Sequence, residues 1–196
     1  MLRLLHTVLA TALTVSPALA HTGVGETNGF AHGFIHPASG IDHVLAMVAV
    51  GIFAAHLGGR ALWLVPLAFV SMMAAGGALG MAGVEVPHVE IGIGLSVVAL
   101  GIAIAFRLSL PVVAAMAFVG VFAIFHGHVH GFEMPDTTSG VAYGAGLMVA
   151  TALLQVVGIG LGLAIGTLGQ TREHRVAQVG GGLMAIAGAG ILAGVI

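Results

Sequence analysis

The chain contains no cysteine and no lysine, and only 6% of its 196 residues are charged. Without cysteine there is no disulfide, no thiolate metal site and no cysteine nucleophile, and the redox compartment is left open. Ordinary soluble domains carry about 25% charged residues. Here 59% of residues are apolar and the mean hydropathy is +1.14, so the expectation is an all-α integral membrane protein. The formal net charge of −2 says little about partners in so weakly charged a chain, and no nucleic-acid partner is expected. What the chain does have is glycine, 32 residues, and histidine, 11 residues against seven acids.

The first twenty residues read as a separate element. Arg3 supplies a positive start, Leu4 to Val15 an apolar stretch, and Ala18-Leu19-Ala20 a small-residue cleavage pattern, the three parts of a secretory signal peptide. An uncleaved first transmembrane helix is the competing reading, although the stretch is short against the ~20 residues a bilayer core needs. Cleavage after Ala20 leaves His21 as the mature terminus, whose amine and imidazole are a candidate chelate.

A polar, glycine-rich lead-in, residues 21–33, is followed by six apolar segments at roughly 41–58, 61–83, 89–106, 109–127, 140–168 and 176–196. Their lengths fit transmembrane helices in one domain, 21–196. The short connections predict antiparallel, mutually packed neighbours. With the N-terminus outside, Arg60, Arg107, Arg172 and Arg175 all fall on inner loops, while Glu26, Asp42, Glu85, Glu90, Glu133 and Asp136 fall outside. That satisfies the positive-inside rule. Glycines four apart (Gly76/Gly80, Gly140/Gly144, Gly158/Gly162/Gly166, Gly190/Gly194) predict close helix packing, and such faces are also candidates for a homo-oligomer contact.

This topology gathers ionisable residues at the outer membrane face. His36, Asp42 and His43 open the first helix; Glu85, His88 and Glu90 open the third; His126, His128, His130, Glu133 and Asp136 close the fourth. Imidazoles and carboxylates are ligands for divalent first-row metals. At about 100° per residue, His130 lies about 40° to one side of His126 and Glu133 about 20° to the other, so the three share a helix face and His128 points away, provided the helix continues past Gly127 and Gly131. Pro37 suits a helix start and Ser39 is a candidate N-cap. Asp42 and Glu90 also have a plain reading as first-turn acids favoured by the helix dipole. His32, His56, Glu85, His88 and His174 read as loop or interfacial residues.

The segment His36-Pro37-Ala38-Ser39-Gly40-Ile41-Asp42-His43 with Met47, and the segment Phe125-His126-Gly127-His128-Val129-His130-Gly131-Phe132-Glu133, closely resemble the signature motifs of the HupE/UreJ family. The resemblance covers the whole chain. It implies uptake of nickel or cobalt across the bacterial inner membrane by a multi-pass secondary permease or facilitator that supplies hydrogenase or urease. Carried over by motif, the metal residues are His36, Asp42, His43, His126, His130 and Glu133; Glu90 is added from topology. No resident cofactor and no enzymatic activity are implied, the metal being cargo. Below the cluster, Met47, Ser71, Met72, Met73 and Gln155 are the only deeper contacts on offer, and packing accounts for most of them. Three other readings compete: a membrane-embedded zinc hydrolase, although no His-Glu-x-x-His motif is present; a bis-histidine haem protein; and a metal-binding accessory or sensor protein that does not transport.

Overall fold

The computed structural model describes residues 29–134 and 139–195. The expected signal peptide, His21, Glu26, Pro135 and Asp136 lie outside these residues. Among the described residues the regular structure is helical: α1 (Gly29–Ile35), a 3-10 turn (His36–Ser39), α2 (Ile41–Leu57), α3 (Ala61–Met81), α4 (Val89–Ala105), α5 (Val112–Phe132), α6 (Gly140–Gly166) and α7 (Gln170–Leu192).

Helices α3, α5, α6 and α7 are each long and apolar enough to cross a membrane. The segment Gly29–Ser39 with α2 is a further candidate, bent by 87°, and α4 is a shorter apolar helix of 17 residues. Outward-facing side chains of the long helices are themselves apolar, among them Trp63, Val113, Leu153 and Ile186. A surface of that kind suits hydrocarbon, and helices satisfy their backbone polar groups internally, as a bilayer demands.

Four expectations are corrected. The lead-in is not all loop, since α1 forms within it and packs on α6. Ser39 does not cap α2; the N-cap is Gly40, and the Ser39 hydroxyl donates to the His36 carbonyl at 2.6 Å. The fourth apolar segment starts after Pro111 and runs to Phe132 rather than 127, because Gly127 and Gly131 are paired with a neighbouring helix instead of breaking their own. The polar stretch 171–175 is the start of α7, not a loop. Glu173 lies in its first turn, where the dipole favours an acid, and pairs with Arg107 at 2.5 Å.

The closest helix pairs are not sequence neighbours. Gly76 and Gly80 of α3 meet the backbone of α5 at Ile124 and His128, while Gly127 and Gly131 of α5 meet α3 at Met73 and Gly77. The two residue series rise together, so α3 and α5 run parallel. In the same way Gly158 faces Val48, and Gly162 faces Ile52 and Ala55, so α2 and α6 run parallel. Gly94 faces Leu192 and Gly181 faces Ala105, which makes α4 and α7 antiparallel. Pairing follows where small residues let backbones approach, not loop length. Two steps of the Gly158 ladder therefore face α2 within the chain.

Candidate metal centre

One end of the bundle holds the start of α2, the start of α4 and the end of α5; the opposite end holds Arg60, Arg107, Arg172 and Arg175. Between the first three elements lies a cavity of about 210 Å³ lined by His36, Asp42, His43, Glu90, His130 and Glu133, with Ser39, Gly40, Ile93 and Val129. Of the seven residues singled out in the sequence, six line this cavity. The seventh, His126, is fully buried beneath it, its ring centroid 4.8 Å from that of His43. The larger cavity of about 700 Å³ lies toward the arginine end, is mainly apolar, and contains His56 and the paired Arg107 and Glu173. The residues singled out in the sequence gather at the smaller one.

The 3-10 turn and the 87° bend aim His36 back over the bundle. Its ring lies 5.0 Å from that of His130, and its Nε2 is 3.4 Å from Glu133 Oε2. His130 in turn lies 4.3 Å from His43, centroid to centroid. Asp42 Oδ1 accepts from both the backbone N–H and Nδ1–H of His43, each at 2.9 Å. A Cβ on residue 40 would stand 2.6 Å from that oxygen and 2.9 Å from Nδ1. Glycine at 40 thus makes room for the carboxylate–imidazole pair.

Hydrogen bonds fix two tautomers. Bonded through Nδ1–H to Asp42, His43 leaves its lone pair on Nε2, a buried atom with no partner among the described residues. The Ser96 hydroxyl donates its single hydrogen to the Ile93 carbonyl at 2.6 Å. Its contact with His126 Nε2 at 2.8 Å must therefore have the imidazole N–H as donor. The His126 lone pair is then on Nδ1, which is also buried, and among the described residues neither it nor either ring nitrogen of His130 has a partner. Buried polar atoms are rarely left this way. Three adjacent imidazoles presenting free nitrogens, with one ring oriented by a carboxylate and another by a hydroxyl, have the makeup of metal ligands with supporting partners.

The site is not closed around an ion: among the described residues, no three His, Asp or Glu side chains already present donors at coordinating positions. His128 takes no part. It is buried on another face, and its Nε2–H donates to the Val84 carbonyl at 2.6 Å, tying α5 to the connection before α4. Glu85 and His88 are exposed and outside the cavity.

Three residues escaped the sequence reading. Ser96 is a lone hydroxyl in an apolar helix; its signal was polarity six residues after Glu90 on the cavity helix. Tyr143, the single tyrosine of the chain, is buried with its ring 5.8 Å from those of both His32 and His36. Phe69 lies 5.9 Å from His126 and closes the apolar side of the site, with nothing in the sequence to distinguish it from other core residues.

The family model for "HupE / UreJ protein" matches residues 9–191. The chain is 49% identical over 180 residues to "Protein HupE" of Rhizobium leguminosarum bv. viciae, which covers 91% of this chain and 92% of that protein. No solved structure matches. With a family model spanning nearly its whole length and a relative of this identity, the chain belongs to the HupE/UreJ family.

Proposed function

We propose that the chain takes up Ni²⁺, and Co²⁺ by the same ligand chemistry, across the bacterial inner membrane. It is a six-span secondary permease or facilitator with its mature N-terminus outside, following a cleaved signal peptide. Family membership places it with accessory proteins of nickel enzymes and not among enzymes. The observation that carries the uptake reading is the set of buried imidazole nitrogens without partners at one end of an apolar bundle, beside Asp42, Glu90 and Glu133. Helix direction supports six spans. α2 and α6, four helices apart, are parallel; so are α3 and α5, two apart; α4 and α7, three apart, are antiparallel. That is the parity expected if each helix crosses once.

A hydrated dication entering the cavity exchanges water for imidazole nitrogen step by step. Small shifts of His36, His43 and His130 bring their donors together, and His126 waits beneath. The three carboxylates offset the charge, without which desolvating a dication is prohibitive. An inward-negative potential then draws the ion in, contributing roughly 2.3 kcal/mol per charge per 100 mV. Purified protein in liposomes is expected to accumulate radiolabelled nickel when the potential is inside-negative, and far less when it is collapsed. Nickel that binds but never enters the lumen would reassign the chain as a non-transporting accessory protein.

Asp42→Asn tests the orientation of His43. The amide can hydrogen-bond the ring through its own N–H and so release the Nδ1–H tautomer. Nickel affinity is expected to fall about 10–100-fold, the usual cost of losing a partner that orients a ligand. Equilibrium dialysis on detergent-solubilised protein reads it directly.

A further inference from the structure

We infer that Gln155, with Thr151 one turn above it on α6, forms a second, weaker transit site for the metal ion inside the bundle. The inference rests on the uptake reading and extends it inward from the outer cluster. Gln155 is 1% exposed, and among the described residues neither its Oε1 nor its Nε2 has a hydrogen-bond partner. Thr151 is fully buried, and among the described residues its hydroxyl has only the thioether of Met73 as acceptor, at 3.7 Å. Thioether sulfur is a weak acceptor.

An amide buried without partners is costly to folding, and leucine would fill the same space without that cost. Structural need therefore does not explain Gln155. Its depth suggests what does. A Cβ on Gly51 would strike the Gln155 backbone carbonyl, so the two residues lie at one level. Gly51 is eight residues along α2 from His43, or about 12 Å inward at 1.5 Å per residue. The fully buried Met47 lies between them on α2, and Thr151 lies between Gln155 and the outer cluster on α6. Thr151 and Gln155, four residues apart, share a helix face.

The donors fit an intermediate station. An amide carbonyl and a hydroxyl are neutral oxygens that hold a partly hydrated divalent cation weakly. A carboxylate at the same depth would bind too well, and permeation needs release as much as capture. The outer site, with imidazoles and acids, selects and concentrates; the neutral pair lets the ion leave that site without meeting bare hydrocarbon.

The test separates rate from affinity. Wild type, Gln155→Leu and Thr151→Val are reconstituted in liposomes for radiolabelled nickel flux, and nickel binding and thermal unfolding are measured on the same proteins in detergent. For Gln155→Leu, the initial rate is expected to fall about tenfold, equivalent to about 1.4 kcal/mol in the barrier, with nickel affinity unchanged and stability equal or higher. Thr151→Val is expected to slow flux less, again without touching affinity. Wild-type flux in Gln155→Leu overturns the inference, as does a loss of rate that simply tracks lost affinity or lost stability. If wild type binds nickel but gives no flux, the uptake reading itself fails, and the transit site with it.

Discussion

His43→Ala is expected to abolish nickel accumulation while the protein remains in the membrane. His43 is the hub of the cluster. Its ring contacts those of His126 and His130, and its Nδ1 anchors the Asp42 carboxylate. Alanine removes a ligand nitrogen and at the same time frees Asp42 from the partner that fixes it. Losing only an orienting partner costs roughly 10–100-fold in metal affinity, so losing the ligand together with the geometry is expected to exceed about 100-fold. Glu133→Ala, which removes the carboxylate beside His36, is expected to do the same through charge: one less acid to offset a dication. The measurement is radiolabelled nickel uptake in cells, with membrane abundance of each variant followed in parallel. Ordinary accumulation in both variants would sink the site assignment.

The second large effect is structural. Gly127→Ala is expected to strip folded protein from the membrane, because a Cβ at 127 would run into the Met73 carbonyl of α3. The obstacle is backbone and has no rotamer to retreat into. The penalty should reach or exceed the roughly 1–3 kcal/mol typical of overpacked cores, and separation of α3 from α5 would also displace His126 and His130. Gly144→Ala is the control. Among the described residues nothing lies within 4 Å of the position its Cβ would take, so abundance and gel-filtration profile should match wild type. Equal abundance of the two variants would remove the close α3–α5 contact as a determinant of the fold.

The apolar helices and the gathering of His, Asp and Glu side chains at one end of the bundle were legible in the sequence because both depend on simple rules. Apolar length marked the long spans, and the arginines marked the far end of the bundle. Helical spacing put His130 and Glu133 on one cavity and turned His128 elsewhere. Tertiary contacts were not legible. Residues 171–175 looked like a loop because they are polar, yet they open α7, and Glu173 in its first turn pairs with Arg107 across 66 residues of sequence. The helix pairing was also misread: short loops suggested neighbour-on-neighbour packing, but glycine registers decide the matter and match only when two helices are compared directly. Ser96 and Tyr143 were missed for a related reason. Each is ordinary in its own helix and acquires meaning from the histidines that another helix brings to it.

The pairing of α3 with α5, α2 with α6 and α4 with α7 also bears on how the protein is made. None of the first three of these helices meets its main partner until at least two later helices have been synthesised. While the ribosome is still producing the middle of the chain, their small-residue faces are open to lipid or to the insertion machinery. The His, Asp and Glu side chains that line the smaller cavity are drawn from the 3-10 turn, α2, α4 and the end of α5, so their cluster does not exist until α5 has been made. A nascent chain therefore emerges without this cluster of side chains, and acquires it late in its own biogenesis.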